Sequence, residues 1–295
     1  MGRFILLPGI LVCCAAALFG QPAAEAPKLL CVSNRAGNAE IFLMNADGTD
    51  AVNLTKSKTE NTFPAWSRDG KTIAFTSDRD GRLQIYLMDA DGGNVRRLTD
   101  NQSTDRAPSW SPDGKRIAFC REQEVYVMNA DGSDPKNLTD NPSFNGDPAW
   151  SPDGKRIAFA SNRSGQGFHL YVMDVDGKAP QPFSETNNPF GYVYPAWSPD
   201  GKIIGYTDVG NNALEIFARD FAAGTRTQLT KLGGLNTELS WSPTGKQAAF
   251  LHMEIGDVTD KVSSLYVMNG DGSKTKEILK REVPLEGGRP SWRPK

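Results

Sequence analysis

The chain has few of the residues that covalent cross-links and metal chemistry require. Of its 295 residues, four are cysteine and two are histidine. Cys13 and Cys14 fall in an N-terminal apolar segment, so only Cys31 and Cys120 remain beyond it. This count excludes a disulfide framework, and we expect two free thiols.

No sign of charge is in excess, since 33 Lys and Arg stand against 35 Asp and Glu for a formal charge of -2. Basic residues are scattered and form no run. The composition therefore excludes nucleic acid or an anionic membrane as the main partner.

The one long apolar run is N-terminal. Arg3 precedes "FILLPGILVCCAAALFG", and the small-residue stretch "QPAAEAP" follows it, which is the order of a secretory signal peptide. The sequence predicts a signal peptide over residues 1–26 and a periplasmic or secreted protein with no membrane insertion afterwards. A retained anchor is the alternative, which Pro8 and the short length oppose. Lipidation at Cys13 or Cys14 lacks the small preceding residue that it needs.

Beyond this segment the sequence is a repeat. Its six tryptophans are separated by 44, 40, 47, 44 and 51 residues, a spacing typical of propeller blades; they are Trp66, Trp110, Trp150, Trp197, Trp241 and Trp292. Each copy contains four strand-like pieces, in one case "PAWS", "KTIAFTS", "QIYLMDA" and "VRRLT".

The second and third pieces are continuous apolar runs, which predicts strands buried on both faces between neighbouring blades. We expect each Trp in this inter-blade core. Between the first two pieces, Ser-Pro-Asp-Gly has the residues of a hairpin turn, and Asp-Gly between the last two indicates another.

The chain does not begin at the start of a repeat copy. It starts with a second piece, "KLLCVSN", and ends with a first piece, "RPSWRPK". The sequence therefore predicts an all-β fold, a six-bladed β-propeller of four-stranded blades over residues 27–295. Its ring is closed where the C-terminal strand around Trp292 pairs with the blade begun by residues 28–55.

The pattern P-x-W-S-P-D-G-K-x-I-A-F, then I-Y-x-M-D-x-D-G, then L-T resembles the WD-like repeat of the TolB family, the periplasmic component of the Tol-Pal envelope system. The resemblance spans roughly residues 28–295. It implies a propeller that binds an envelope protein or peptide such as a Pal-like lipoprotein. TolB-like proteins carry an α/β domain before the propeller, whereas here the repeats follow the signal peptide, which puts in doubt contact with inner-membrane Tol proteins.

Variation is concentrated at one end of the predicted channel, where "TNNPFGYVYP" and "HMEIGDVTDKVSS" lengthen two loops. Aromatic residues dominate interface hot spots, so we expect a partner-binding surface at Phe190, Tyr192 and Tyr194; the alternative is that these rings plug the channel. Polar residues expected to border the same mouth are Glu60, Asn61, Asp105, Arg106, Asn145, Asp147, Glu238 and Arg289.

The sequence has few of the residues and motifs that enzyme catalysis requires. There is no Gly-x-Ser-x-Gly elbow, and we expect His169 and His252 at the surface. A channel cation held by Asp105, Asp147 and Glu238 is the weaker alternative to solvated carboxylates paired with arginines. The sequence predicts a non-enzymatic, monomeric binding protein without a cofactor; the alternative is a metal-dependent propeller lyase or hydrolase acting on a carbohydrate or small molecule.

Overall fold

The computed structural model describes residues 26–184, 188–191, 193–210, 213–254, 262–284 and 286–294. Within these ranges every regular element is a β-strand. The strands are β1 (Lys28–Ser33), β2 (Glu40–Asn45), β3 (Val52–Asn53), β4 (Asn61–Trp66), β5 (Thr72–Ser77), β6 (Gln84–Asp89), β7 (Arg96–Arg97), β8 (Asp105–Trp110), β9 (Arg116–Arg121), β10 (Glu124–Asn129), β11 (Lys136–Asn137), β12 (Asn145–Trp150), β13 (Arg156–Ser161), β14 (His169–Asp174), β15 (Gln181–Pro182), β16 (Ala196–Trp197), β17 (Ile203–Val209), β18 (Leu214–Asp220), β19 (Arg226–Gln228), β20 (Leu235–Trp241), β21 (Gln247–Met253), β22 (Val262–Asn269), β23 (Lys276–Pro284) and β24 (Ser291–Trp292).

The strands form antiparallel four-stranded sheets of consecutive segments. Three such sheets are β4 to β7, β8 to β11 and β12 to β15. A fourth combines the two ends of the described chain in the order β24-β1-β2-β3, with Leu29 opposite Trp292. Strands β16 to β23 make two further antiparallel groups, which join through one parallel pair, Leu214 with Leu235.

Neighbouring sheets bury their faces against each other. One apolar cluster contains Leu30 and Ile41 from β1 and β2 together with Ile73, Phe75 and Tyr86 from β5 and β6. The interior strands are thus covered on both sides, which confirms the interpretation of their continuous apolar runs. The outermost strands β3, β7, β11 and β15 are only two residues long and largely exposed.

Both turn motifs have the expected form. The amide of Gly70 donates to the carbonyl of Ser67 at 2.9 Å, and Gly70 has a φ of 65°, which favours glycine. In the second motif glycine has another role as well. A Cβ on Gly92 would lie 2.5 Å from the carbonyl oxygen of Leu54, just after β3 of the preceding sheet, so the Asp-Gly turn of one sheet packs directly on the Leu-Thr segment of its neighbour.

The two thiols are buried and not disulfide-bonded. The histidines differ from each other. His169 at the start of β14 is half-buried, whereas His252 is buried, with Nδ1 3.0 Å from Oδ1 of Asn236. The prediction of a surface position was wrong for His252, because it pairs with Asn236 at the position where other copies have the buried residues Ser77 and Ser161.

Candidate functional site: one mouth of the central channel

The first strands of the repeats surround a common channel. A cavity of about 230 Å³ is lined by residues of β4, β8, β16, β20 and β24 and by Ala149 of β12. Since these strands enclose one space, side chains at equivalent positions along them form rings around the channel.

One such ring, three residues before each Trp, has unusual backbone geometry. Phe63, Ala107, Asp147, Tyr194 and Glu238 all have positive φ, between 42° and 55°. In β4, β8, β12 and β20 the strand pairing shifts register at this point. A bulge of this kind redirects a side chain away from the normal alternation, and a non-glycine residue held there costs about 1–3 kcal/mol. The positive φ thus recurs in five copies at the level of the channel mouth, and in four of them it coincides with a register shift.

The ring carries a compact set of charges. Glu238 Oε1 accepts the amide of Gly287 at 3.2 Å, and a guanidinium nitrogen of Arg289 donates to the carbonyl of Pro195 at 2.6 Å. Arg106, next to the ring position of β8, pairs with Glu286 at 2.6 Å. Segments far apart in sequence are therefore tied together around the mouth.

Burial controls the ionisation of the two ring carboxyls. Desolvation raises the pKa of Glu238 to about 8, with a smaller contribution in the same direction from Asp147, while Arg289 opposes the shift. Desolvation also raises the pKa of Asp147, against the attraction of Arg106 and Arg289. Glu238 is completely buried, and its Oε2 has no hydrogen-bond partner among the described residues. Glu238 is thus predominantly protonated at neutral pH.

Three of the polar residues assigned to the mouth lie in the protein interior. Asn61, Asp105 and Asn145 are completely buried. Asn61 Oδ1 accepts from Ser77 at 3.0 Å, and Asn145 Oδ1 accepts from Ser161 at 2.8 Å. These side chains link the first strand of a sheet to the second strand, so they stabilise the structure beneath the channel mouth and are not part of its surface.

Asp105 occupies the same position with a different partner. Its carboxylate receives two hydrogen bonds from Arg121, at 2.7 and 2.9 Å, and a third from Asn101 at 2.7 Å. Because both oxygens of this carboxylate bind Arg121, Asp105 does not form a cation site with Asp147 and Glu238. No group of three or more His, Cys, Asp or Glu side chains in the described ranges is placed to hold a metal ion.

The aromatic loop divides between surface and interior. Phe190 is 62 % exposed, whereas Tyr194 is only 6 % exposed; Tyr192 lies outside the described residues, as does most of the second long loop, residues 255–261. Glu60 is exposed, and its Oε2 accepts the amide of Ala39 at 3.2 Å.

Sequence reasoning missed further apolar residues at this mouth. Leu232, in the next inter-blade connection after that of Phe190, is 44 % exposed. The rings of Phe144 and Phe168 meet edge to face at 5.4 Å, and Phe168 lies against Gly191. Connection length does not identify Leu232, because the connection that contains it is not lengthened.

Comparisons with known proteins agree on the fold. The model of the TolB beta propeller domain family matches residues 18–125, 102–168 and 166–295. A Protein TolB homolog of Chlorobaculum tepidum is 39 % identical over 59 residues, which are 20 % of this chain and 14 % of that relative. The crystal structure of TolB from Acinetobacter baumannii superposes with a TM-score of 0.71 at 24 % identity, over 94 % of this chain and 69 % of that one.

Hydrazine synthase of Kuenenia stuttgartiensis is also similar, with a TM-score of 0.70 at 18 % identity over 91 % of this chain and 46 % of that one. The fold thus also occurs within an enzyme, and function has to be argued from the site. As a separate finding, the described ranges contain no α-helix able to cross a bilayer.

Proposed function

Since the chain belongs to the TolB beta propeller domain family, we propose that it is a non-enzymatic, exported scaffold that binds an envelope protein or peptide at the loop-rich mouth of its channel. A Pal-like lipoprotein is the partner class that the resemblance suggests. The protein acts in the periplasm or outside the cell, after removal of residues 1–26.

The architecture proposed for this role is a ring of six blades over residues 27–295. Pairing of β24 with β1 supports closure of the ring by the C-terminal strand. A closed ring holds the inter-blade connections in fixed positions, so that separate loops can present one surface to a partner.

The observation that carries the proposal is the combination of exposed apolar side chains and charged groups at one mouth. Phe190 and Leu232 project from consecutive inter-blade connections with 62 % and 44 % of their surface exposed. Beside them the channel mouth bears the Arg106–Glu286 pair and Arg289. Apolar anchors with charged groups around them are the composition of a protein-binding surface.

Binding is tested by capture from an envelope fraction with residues 27–295 as bait. We expect Phe190→Ser and Leu232→Ser to reduce capture of the specific partner, and the double variant to abolish it. Val52→Ser is the matched control, because Val52 is 53 % exposed but lies on the outermost strand β3, away from the channel. Equal capture by the Phe190, Leu232 and Val52 variants would place the binding surface elsewhere.

A further inference from the structure

Three copies of the repeat depart from the common turn sequence at the end of the channel opposite the loop-rich mouth. After β8, β12 and β16 the Trp is followed by Ser-Pro-Asp-Gly-Lys. After β4, Arg68 replaces the Pro; after β20, Thr244 replaces the Asp; after β24, Arg293 replaces the Ser. Each of these changes adds a positive charge or removes a negative one.

The three altered segments are neighbours in space. A cavity of about 450 Å³ is lined by Gly70, Thr244 and Arg293, one from each segment. A Cβ on Gly70 would lie 3.8 Å from Cδ of Pro294, so the segments after β4 and β24 are in contact. The departures from the repeat are therefore concentrated in one sector of this end of the channel.

This cavity is one part of a longer groove. It shares Ser242, Pro243 and Pro294 with a cavity of about 260 Å³ at the centre of the channel mouth. The central cavity in turn shares Arg68 and Pro112 with a third one of about 450 Å³, which reaches the turn after β8. Three adjoining cavities suit an extended chain better than a single small ion.

Positive charge predominates along this groove. The cations that line the three cavities are Lys28, Arg68, Arg96 and Arg293, and the carboxylates of the described residues that line them are Asp69 and Asp113. Arg68 is exposed, and no carboxylate in the described part of the chain forms an ion pair with it. The guanidinium of Arg293 lies 5.4 Å from the ring centre of Trp66, a contact that orients its charge without neutralising it.

The two carboxylates of the groove are held by their own turns. Asp69 Oδ1 accepts from the Ser67 hydroxyl at 2.7 Å and from the Lys71 amide at 3.1 Å. Asp113 Oδ1 accepts the equivalent bonds from Ser111 at 2.6 Å and from the Lys115 amide at 3.0 Å. These bonds are within each turn, so the arginine charges stay available to a ligand.

The positive region is narrow. The amide of Ala90 donates to the carbonyl of Lys71 at 2.9 Å, which places the outer Asp-Gly turn of this sheet beside its inner turn. That outer turn carries Asp89 and Asp91, both exposed. A flat anionic surface such as a bilayer would meet these carboxylates before it reached the groove, whereas a single chain would not.

We propose that this groove binds an acidic, extended segment of a partner protein. Arginine donates paired hydrogen bonds that match the geometry of a carboxylate. The spread of cations over adjoining cavities suits several carboxylates along one chain, and complementary charge speeds the association of such a segment. The site is separate from the partner surface at Phe190 and Leu232, which lies at the other mouth.

The test is a calorimetric titration of residues 27–295 with acetylated and amidated octaglutamate. A Gly-Ser octapeptide, inorganic polyphosphate and phosphatidylglycerol vesicles are titrated in parallel. We expect saturable binding of octaglutamate that weakens as salt is raised, and none of the Gly-Ser peptide. Absence of octaglutamate binding, equal binding of the Gly-Ser peptide, or tighter binding of polyphosphate or vesicles would overturn the proposal.

The repeat itself supplies the matched variants. Arg68→Pro and Thr244→Asp restore the residues of the other copies, so both proteins should fold normally, and each should bind octaglutamate roughly 3- to 10-fold more weakly. Lys155→Gln removes one positive charge from an unaltered turn that lines none of the three cavities. Its affinity should stay within about twofold. Equal losses in Arg68→Pro and Lys155→Gln would show a response to overall charge alone and refute the groove.

Discussion

Arg106 and Glu286 form a 2.6 Å ion pair although 180 residues separate them in the chain. The pair connects β8 with the segment that leads into β24, and Arg106 also feels the charge of Asp147. The ion pair therefore lies close to both the proposed partner surface and the strand pairing of β24 with β1. Removing one of its two charges tests whether the pair serves binding or folding.

For this pair we expect a small effect on stability and a larger one on binding. Glu286 is 62 % exposed and Arg106 26 % exposed, so Glu286→Gln should change the free energy of unfolding by about 0–1 kcal/mol. A charge at the rim of an interface acts mainly on the association rate and its salt dependence. The check is thermal melting together with partner association rates at two salt concentrations. A loss of several kcal/mol would instead make the pair structural.

The buried Glu238 predicts a pH-dependent stability. Its pKa is raised from 4.5 to about 8, so between these values the folded state binds a proton that the unfolded state has released. Stability contributed by this group therefore falls as pH rises, with a slope of up to roughly 1.4 kcal/mol per pH unit. Glu238→Gln keeps the acceptor for Gly287 without the titration. We expect the variant to gain stability relative to the natural protein from pH 5 to pH 8, measured by urea unfolding; a constant difference would contradict a protonated Glu238.

Removal of residues 289–295 should destabilise the protein severely. Trp292 is 5 % exposed and packs in one cluster with Leu29, Phe42 and Ala249, so Trp292→Ala alone should cost about 3–5 kcal/mol. The deletion also removes the β24 residues that pair with Leu29 and Leu30, which keep only their partners in β2, and should cost more. Melting of the three proteins gives the order, and a truncated chain as stable as the full one would contradict ring closure through β24.

The sequence was a good guide to the strands and turns, and a poorer one to where side chains point. Apolar runs such as that of β5 and the Ser-Pro-Asp-Gly turns follow from local chemistry. The positive φ of Tyr194 does not, because a non-glycine residue in this conformation has no distinctive sequence pattern, and Tyr194 is buried rather than presented to a partner.

The position of His252 was predicted wrongly for a related reason. Its position carries Ser, Arg, Asp and His in different copies, so residue type gave no indication of burial.

The last prediction concerns the Asp105–Arg121 ion pair, for which other copies of the repeat supply a neutral pair that serves as the control. Asp105 is completely buried, so Arg121→Ser leaves its carboxylate without a counter-charge and should cost about 3–5 kcal/mol. Other copies have an Asn–Ser pair at this point, Asn61 with Ser77 at 3.0 Å and Asn145 with Ser161 at 2.8 Å.

The double variant Asp105→Asn/Arg121→Ser should therefore recover at least half of that loss. Both proteins lack the stacking of the Arg121 guanidinium over Phe119 and Tyr126, so the difference between them isolates the buried charge from the lost packing. Urea unfolding of the single and double variants measures it. If the double variant is no more stable than Arg121→Ser, then the stacked guanidinium, and not the neutralised carboxylate, is what this copy of the repeat depends on.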